Sequence, residues 1–549
     1  MIVVILAFLA SLLTTWLLIP WLAKFAKKVG LVDHPDNKRK LHVDAIPMVG
    51  GLAIFITVFI IAPLAIWAGV QYQTLFQSLA EDLLGWLPVD FGRRGIRFNH
   101  DSIPELAGLF VGSAILVGVG VLDDRFGIRG RQKLLGQFVA VTALIIFGYH
   151  FDKVTIANIT INFDVFSVLF VYAWVIAAIN SVNLLDGADG VAATIGVVMS
   201  VALALMAVFL GLMVDAIIAI TIAGALIGFL RFNFPPAKVY LGDTGSMLIG
   251  FLLAALAIRS TFKQNTAYAF FAPIALLGIP FIDTAAAIIR RRLTGRSIFA
   301  VDRGHLHHAL IKQGYSPRSS LLWVALLCTT TAAGAVASLV FQQAEFALAS
   351  VGIAVTVMIG FKVFGVAEYH LVSRKASTLA RSFLHLNKEG MPDVIQSAFH
   401  MQGNHDWQDD WELLCKFADD NNLVQLKMDL NAPWLHESFH ATRRRSDVPK
   451  GGNHEWSSEI PLVAEGRVFG RVEIVGNEGN EKHRELIAKA LVVTEQIETA
   501  FLNFKPENTR AKSEPNDESH QDPVCHVVAG ANGTANQLTD GTGTNVSSD

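Results

Sequence analysis

The sequence predicts an all-α polytopic membrane protein with a soluble C-terminal α+β domain. Of the 549 residues, 52% are hydrophobic and 17% are charged, and the mean hydropathy is +0.44. A soluble chain of this length is less apolar. Apolar stretches of bilayer-crossing length recur over the first two thirds of the chain, and the composition turns acidic after about residue 370. These observations place most of the chain in a membrane.

About eleven apolar stretches approach the length that a transmembrane helix needs. They are residues 2–23, 46–69, 104–122, 133–150, 165–182, 191–212, 214–231, 244–260, 268–288, 320–341 and 345–366. The first stretch lacks both a basic start and a small-residue cleavage site. It therefore predicts a membrane anchor and not a signal peptide.

Lysine and arginine decide the predicted orientation. Six of them follow the first stretch, between residues 24 and 40, and seven follow the ninth, between residues 290 and 318. Cytoplasmic loops carry an excess of these residues. With an odd number of spans, the N-terminus is expected outside and the C-terminus inside, in a multi-pass protein of the cell (inner) membrane.

Three regions follow from composition: a membrane domain (1–369), a cytoplasmic α+β domain (370–504) and a disordered tail (505–549). From residue 367 onward, 28 residues are acidic and 18 are basic. The segments LVQLKMDL, EWSSEIPLV and RVFGRVEIVG predict strands, a long amphipathic helix follows them, and the whole loosely resembles a GAF-like sensory domain. The tail lacks apolar periodicity. Arg443–Arg445 predicts a solvated loop, because the surrounding domain is too acidic for a nucleic-acid patch.

Four polar clusters lie at the ends of apolar stretches. They are the pair Asp123–Asp124, the segment NSVNLLDGADG, the segment GDTGS around Asp243, and DRGHLHH. The predicted topology places all four on the cytoplasmic side. An unpaired charge at membrane depth costs at least a few kcal/mol, so the clusters predict a site that uses them.

Each cluster also has a structural interpretation. Asp189 and Asp243 precede apolar helices and could cap them, and the histidines of GHLHH could lie in a solvated turn. Capping does not explain Asn180 and Asn183, which lie about one helical turn apart on one face. Taken singly, the pattern of each cluster leaves both interpretations open.

The residue types favour phosphate chemistry over other metal chemistry. Mg²⁺ typically takes one or two carboxylates plus phosphate oxygens. Basic residues nearby, such as Lys133, Arg296 and Arg303, suit anionic phosphates. The three cysteines have no metal-like spacing, so neither a zinc site nor a disulfide framework is predicted. The combination indicates diphosphate chemistry at the inner leaflet.

Six segments occur in one order over about residues 1–340: DHPDNKRKLH, IPMVGG, LDDRFG, NSVNLLDGADG, NFPPAKVYLGDTGS and SIFAVDRGHLHH. This set resembles the polyprenyl-phosphate N-acetylhexosamine-1-phosphate transferases (glycosyltransferase family 4), which move a sugar 1-phosphate from a UDP-sugar to a lipid phosphate. The HLHH form is similar to the branch that uses UDP-N-acetylglucosamine. RQKLLGQ is also similar to the branch that uses UDP-N-acetylmuramoyl-pentapeptide, so the resemblance leaves the donor open.

The resemblance implies a role for each motif residue. The implied catalytic residues are Asp123, Asp124, Lys133, Asp186 and Asp189. The implied metal ligands are Asp243, Asp123 and Asp124, for Mg²⁺ or for Mn²⁺ in its place. The implied substrate-binding residues are His42, Asn183, Arg303, His305, His307 and His308.

The implied reaction transfers N-acetylglucosamine 1-phosphate to undecaprenyl phosphate at the cytoplasmic face and releases UMP. A lipid-phosphate oxygen is expected to attack the β-phosphorus in line, with Mg²⁺ reducing the repulsion between two anions. The expected partners are the UDP-sugar, the polyprenyl phosphate and membrane lipids, without nucleic acid. A small-molecule or protein ligand of the C-terminal domain and a homodimer are also compatible with the sequence.

Two other protein classes fit the sequence less well. An ion-coupled transporter would carry its acids near the bilayer midplane on broken helices, whereas these acids lie at the predicted inner ends. In a membrane receptor the spans would only anchor the sensory domain, which leaves the polar clusters unexplained.

Overall fold

The computed structural model describes residues 2–33, 45–72, 102–151, 153–156, 159–293, 304–361, 394–402, 407–432, 437–445, 455–464, 467–477 and 483–503. His42, Arg303 and the predicted disordered tail at 505–549 lie outside the described residues.

The membrane part is helical. In chain order its helices are α1 (Ile2–Val29), α2 (Gly50–Gln71), α3 (Ser102–Phe126), α4 (Gly130–Ile146), α5 (Asp164–Leu185), α6 (Val191–Phe209), α7 (Met213–Asn233), α8 (Gly242–Ser260), α9 (Ala267–Leu276), α10 (Gly278–Leu293), α11 (Leu306–Lys312), α12 (Pro317–Val340) and α13 (Glu345–Gly360). Two antiparallel strand pairs join some of them: β1 (Val32–Asp33) with β2 (Ile46–Pro47), and β3 (Lys153–Ile156) with β4 (Ile159–Asn162).

The predicted number of eleven spans is not confirmed. Among the described residues, eight helices are long and apolar enough to cross a membrane, or nine if α9 and α10, bent by 60° at their junction, form one span. Helices also occupy the two remaining predicted stretches, but α4 has 17 residues and α13 has 16. At 1.5 Å per residue both are shorter than the hydrocarbon core of about 30 Å. The orientation of the N-terminus stays a prediction.

Helix α8 lies at the centre of the membrane part. Every residue of α8 from Thr244 to Ser260 is buried. Glycines let its neighbours approach closely: a β-carbon on Gly120 of α3 would lie 2.3 Å from the Thr244 α-carbon, and one on Gly51 of α2 would lie 2.3 Å from the Gly245 nitrogen. The first turn of α8 is therefore enclosed by α2 and α3.

A buried ion-pair network holds the far end of α8. Arg259 pairs with Asp215 of α7, and its Nη1 lies 2.8 Å from Oε2 of Glu105 in α3. Lys263 pairs with the same Glu105 and donates to the Gly148 carbonyl oxygen at 3.1 Å. Because each charge has an opposite partner, the network stabilises the contacts of α8 with α3 and α7 without leaving an isolated ion.

The C-terminal region has the predicted α+β architecture. Its strands are β5 (Val394–Gln402), β6 (Gln425–Ala432), β7 (Glu437–Arg445), β8 (Glu455–Ala464) and β9 (Arg467–Asn477), which form an antiparallel sheet in the order β5-β7-β6-β9-β8. Its helices are α14 (Gln408–Asp420) and α15 (His483–Asn503). The core includes Trp411, Leu426, Phe439, Val472 and Ile497. The likeness to a GAF domain and the ligand of this region stay predictions.

The predicted solvated loop at Arg443–Arg445 is wrong. These arginines form the end of β7, which pairs with β5 on one side and β6 on the other. Arg443 is buried and pairs with Asp419 at the end of α14. A charged side chain that points from a strand into the protein core is tolerated when a carboxylate pairs with it.

Candidate active site

The ammonium group of Lys133 joins two carboxylates that are distant in sequence. Lys133, in the first turn of α4, pairs with Asp123 at the end of α3 and with Asp243 in the first turn of α8. The other oxygen of Asp123 accepts a 2.9 Å hydrogen bond from the Ile128 backbone nitrogen. Asp123 is buried, and its carboxylate therefore lies in a fixed position beside Asp243.

Asp124 faces the start of α8 instead of Lys133. Its Oδ1 accepts a hydrogen bond from the Asp243 backbone nitrogen at 2.8 Å. Its Oδ2 accepts hydrogen bonds from the Thr244 backbone nitrogen at 3.2 Å and the Thr244 hydroxyl at 2.6 Å. Backbone nitrogens in the first turn of a helix have no intrahelical partner, so Asp124 satisfies two of them and orients α8. The residue that caps α8 with its side chain is thus Asp124, and Asp243 is left for the site.

Asn183 of α5 completes the immediate surroundings of Asp243. Its Nδ2 lies 2.7 Å from Oδ1 of Asp243 and 2.9 Å from the Ser246 hydroxyl oxygen. One turn earlier in α5, Asn180 donates to Gln137 of α4 at 2.7 Å. The two asparagines therefore line one helix face, and the contact between Asn180 and Gln137 satisfies polar groups that would otherwise be unpaired among apolar side chains.

The loop between α5 and α6 carries two more of the predicted aspartates. Asp189 Oδ2 accepts a 2.9 Å hydrogen bond from the backbone nitrogen of Ala237, which lies in the loop that precedes α8. Asp189 does not cap α6, whose N-cap residue is Gly190 with a φ of 76° and no side-chain cap. Burial raises the pKa of Asp186 well above its usual range, and the charges of Asp243, Asp124 and Asp189 raise it further. Asp186 thus lies among the other aspartates of the site.

Asn233 is a buried residue of this region that the sequence interpretation missed. Its Oδ1 accepts from the Gly190 backbone nitrogen at 2.9 Å, and its Nδ2 donates to the Val239 carbonyl oxygen at 2.9 Å. It therefore ties the loop after α5 to the loop before α8. The NFPPAK segment that contains it is one of the segments that carry the family resemblance.

Tyr240 also belongs to this loop and was not predicted. It pairs with Met48 in an isolated bridge, which brings the segment before α2 beside the site. Burial raises the pKa of Tyr240 to about 12, and the charges of Asp189 and Asp33 add to the shift. The hydroxyl group therefore stays protonated at neutral pH.

The histidine segment meets the loop after α5. If Gly187 carried a β-carbon, it would lie 3.4 Å from Nε2 of His307 and 4.0 Å from Nε2 of His308. His307 is only 1% exposed, and neither of its ring nitrogens has a hydrogen-bond partner among the described residues. Burial lowers its pKa to about 3, and the neighbouring His308 and His305 lower it further. His307 is therefore a neutral imidazole facing Asp186-Gly187.

His305 is held by an aspartate outside the predicted motifs. Its Nδ1 lies 2.7 Å from Oδ2 of Asp283 in α10, and both residues are buried. The rings of His305 and His307 are nearly parallel, with centroids 6.3 Å apart and an interplanar angle of 4°. The predicted solvated turn therefore does not describe His305 and His307.

Two carboxylates of the site fit the ligand set of a hard cation. In the described part of the chain, no group of three or more His, Cys, Asp or Glu side chains is arranged to hold a metal ion. Asp123 and Asp243 nevertheless converge on one cationic group, Lys133 Nζ. Mg²⁺ is commonly held by one or two carboxylates plus phosphate oxygens and water. Each carboxylate of the pair directs one oxygen to the Lys133 side chain, so the pair fits such an ion, whereas Asp124 directs both oxygens to the first turn of α8.

A family profile and the similar proteins both indicate the family of this chain. The profile of glycosyl transferase family 4 matches residues 106–261. The chain is 32% identical over 329 residues to the probable undecaprenyl-phosphate N-acetylglucosaminyl 1-phosphate transferase of Bacillus subtilis (strain 168), covering 60% of this chain and 82% of that protein. The chain belongs to glycosyl transferase family 4.

Two further family-4 relatives carry related names. The decaprenyl-phosphate N-acetylglucosaminephosphotransferase of Mycobacterium tuberculosis (strain ATCC 25618 / H37Rv) is 30% identical over 357 residues, covering 60% of this chain and 80% of the relative. The undecaprenyl-phosphate alpha-N-acetylglucosaminyl 1-phosphate transferase of Escherichia coli (strain K12) is 28% identical over 329 residues, covering 57% and 78%. This family-4 chain is a multi-pass membrane protein.

The family-4 match contains most of the predicted site. Within residues 106–261 lie Asp123, Asp124, Lys133, Asn183, Asp186, Asp189 and Asp243. The structure joins Asp123, Lys133, Asp243 and Asn183 directly and brings Asp124 to the same helix start. The histidine segment reaches this group through Gly187, from a part of the chain beyond the family match.

Proposed function

We propose that this protein transfers N-acetylglucosamine 1-phosphate from UDP-N-acetylglucosamine to undecaprenyl phosphate at the cytoplasmic face of the membrane. The products are UMP and a lipid diphosphate sugar, which starts a lipid-linked cell-envelope glycan. The observation that carries the proposal is the convergence of Asp123 and Asp243 on Lys133 at the ends of three helices. The names of the family-4 relatives from three bacteria support the choice of donor and acceptor.

The reaction needs one bond to form and one to break at the same phosphorus. An oxygen of the lipid phosphate attacks the sugar-bearing β-phosphorus, and the bond from that phosphorus to the bridging oxygen of UMP breaks. The second pKa of a phosphate monoester is about 6, so most of the acceptor is already a dianion at neutral pH. No proton has to be removed before attack, and catalysis depends mainly on positioning and charge stabilisation.

The described residues of the site contribute to this reaction in different ways. Lys133 supplies a positive charge where two phosphates would meet, and Asn183 and Ser246 hold the Asp243 side chain. Asp124 fixes the first turn of α8. The neutral His307 offers a hydrogen-bonding ring with no competing partner among the described residues, which suits contact with a nucleotide-sugar.

Asp123 and Asp243 would hold Mg²⁺, completed by phosphate oxygens. When bound there, the ion would neutralise charge on the diphosphate and on the departing UMP. Asp123 is engaged by the Ile128 backbone nitrogen and by Lys133. These contacts favour a role for Asp123 in orienting ligands over a role as a general base.

UMP release tests the proposal. Purified full-length protein receives undecaprenyl phosphate, Mg²⁺ and either UDP-N-acetylglucosamine or UDP-N-acetylmuramoyl-pentapeptide. We expect release with UDP-N-acetylglucosamine only, and loss of release in Asp243→Asn. The matched control is Asp164→Asn, which changes an exposed aspartate in the first turn of α5 and should keep wild-type activity.

Each alternative outcome has a definite meaning. Release with the muramoyl donor alone would reject the proposed substrate but keep the reaction type. Release that persists in Asp243→Asn would reject the assignment of this site. An absence of release with both donors would contradict the transferase proposal for the full chain.

A further inference from the structure

Asp283 joins α10 to the start of the histidine segment. Its Oδ2 lies 2.7 Å from His305 Nδ1, and its Oδ1 accepts a 2.9 Å hydrogen bond from the Leu306 backbone nitrogen. Asp283 is 2% exposed and His305 is 4% exposed. Both carboxylate oxygens are thus engaged by the same short segment, away from solvent.

A second residue of α10 contacts the preceding position. Arg290 follows Asp283 by two helical turns, so the two lie on one face of α10. The Arg290 guanidinium is so close to Gly304 that a β-carbon there would lie 2.6 Å from Nε. One face of α10 therefore supports residues 304 to 306, where α11 begins.

The contact with Leu306 satisfies a backbone donor at the start of α11. Leu306 is the first residue of α11, and its backbone nitrogen has no intrahelical acceptor. His305, in the N-cap position, makes no side-chain cap hydrogen bond. Asp283 supplies the missing acceptor from another helix. The start of α11, and with it His307, is thereby fixed relative to α10.

The contact with His305 selects one form of the imidazole. The Asp283 carboxylate oxygen, 2.7 Å from Nδ1, accepts a hydrogen bond from that nitrogen, so Nδ1 carries the hydrogen and Nε2 is left for a ligand. The neighbouring ring of His307 is parallel to that of His305 and lies against Gly187. Asp283 thus contacts His305, which is two residues before His307 in the chain, and His307 contacts the loop after α5.

We propose that Asp283 is a positioning residue for nucleotide-sugar binding: it fixes the tautomer of His305 and the start of α11, and so presents His307 to the site. The identity of the ligand rests on the proposed function above. Asp283 itself touches neither substrate. Its loss should therefore weaken binding of the UDP-sugar without changing binding of the lipid phosphate.

Three variants of the full-length protein test the proposal. Asp283→Asn keeps the size of the side chain but places an amide donor where the carboxylate accepted from His305, and Asp283→Ala removes both contacts. The control is Thr284→Val, which alters the next buried residue, whose hydroxyl has no partner among the described residues. Loss of a residue that orients a ligand-binding side chain typically costs 10- to 100-fold.

We expect both Asp283 variants to raise the KM for UDP-N-acetylglucosamine by about tenfold or more, with the KM for undecaprenyl phosphate within about twofold of wild type. Thr284→Val should match wild type for both substrates. Equal increases in both KM values, or a KM for the UDP-sugar that is unchanged in both variants, would overturn the positioning role.

A second readout does not depend on activity. Diethyl pyrocarbonate modifies accessible imidazoles, and peptide mass spectrometry measures the modified fraction of each histidine. His305 should react slowly in wild type and Thr284→Val, and at least about fivefold faster in Asp283→Ala, relative to the exposed His150 as internal reference. Unchanged reactivity of His305 in Asp283→Ala would reject the proposal. If wild type releases no UMP, the proposed function fails, and this readout still decides the role of Asp283.

Discussion

The side-chain amide of Asn183 donates a 2.7 Å hydrogen bond to Oδ1 of Asp243, and so joins α5 to the first turn of α8. The same nitrogen lies 2.9 Å from the Ser246 hydroxyl oxygen, one turn further along α8. These two contacts with α8 fix the orientation of the Asn183 side-chain amide. The carboxylate of Asp243 is therefore oriented by a neutral donor on one oxygen and by Lys133 on the other.

Asn183→Ala tests this orientation. The variant leaves Asp243 in place but removes the donor on Oδ1, so we expect kcat to fall about 10- to 100-fold with a folded protein. Steady-state UMP release measures the effect. Thr142→Val is the control, because it removes a 2.8 Å hydrogen bond to Tyr172 between α4 and α5 away from the site. An Asn183→Ala variant with wild-type kcat would show that Asp243 does not need this donor.

Lys133→Gln tests the bridging charge. Without the ammonium group, Asp123 and Asp243 face each other unneutralised and the substrate phosphates lose a cation. Losing one preorganised electrostatic group commonly lowers kcat by about 10²- to 10³-fold, and we expect a loss of that size. The measurement is kcat at saturating concentrations of both substrates. Arg131→Gln, an exposed residue in the same turn of α4, should stay within about twofold of wild type.

Asp123→Asn separates an orienting role from a base. A base would become less necessary at high pH, where the acceptor is fully deprotonated, so the variant would then recover relative activity. Because the contacts of Asp123 favour orientation, we expect the same fractional loss across about pH 6.5 to 9. Ratios of variant to wild-type kcat across that range distinguish the two, and a ratio that rises steeply with pH would identify a base.

The low pKa of His307 predicts a pH dependence of stability. Its folded pKa of about 3 is below the unfolded value of about 6.5, so between these values the unfolded state binds the extra proton. Stability contributed by the neutral ring is therefore lost as pH falls below about 6.5, by about 2 kcal/mol at pH 5. We expect the apparent Tm of wild type to fall more between pH 7 and pH 5 than that of His307→Phe. Parallel Tm curves would contradict the shift.

The ion-pair network at the far end of α8 predicts a stability effect. Arg259→Met leaves Asp215 buried without its main partner, which should destabilise the protein by about 3 to 5 kcal/mol. The double variant Arg259→Met/Asp215→Leu removes both charges and should be more stable than the single variant. Thermal inactivation of detergent-purified protein measures both. A double variant that is less stable than Arg259→Met would reject this account.

The sequence was sufficient to find the carboxylates but not most of their partners. Aspartates and asparagines at the ends of apolar stretches stand out because lipid penalises them, and four such positions meet in the structure. They are Asp123, Asp124, Asn183 and Asp243, and Lys133 at the start of α4 pairs with two of them. Asp283 lies inside the predicted apolar stretch 268–288, but none of the segments that carry the family resemblance includes it.

Contacts between distant segments explain the remaining differences. Asp283 and His305 are 22 residues apart, and Asp215 and Arg259 are 44 apart, so neither pairing has a local pattern. The predicted stretch 133–150 also runs past the end of α4 at Ile146, because apolar residues such as Phe147 and Tyr149 follow the helix. Residues 362–366 of the predicted stretch 345–366 lie outside the described part of the chain. The three arginines of β7 interrupt the alternation of apolar and polar residues that predicts a strand, although Arg443 is buried and pairs with Asp419.

The complete burial of α8 sets how deep the site can lie in the membrane. Asp243 and Arg259 are sixteen residues apart on this helix, or about 24 Å along its axis. No side chain from Thr244 to Ser260 is exposed for lipid to contact, so changes in bilayer composition cannot shift the helix directly. The position of the Asp243 carboxylate along the membrane normal is instead set by the contacts of α8 with other helices. These contacts include the ion pairs of Arg259 at the far end of α8. Bilayer thickness should then affect how the lipid substrate arrives and leave the geometry of the carboxylates unchanged.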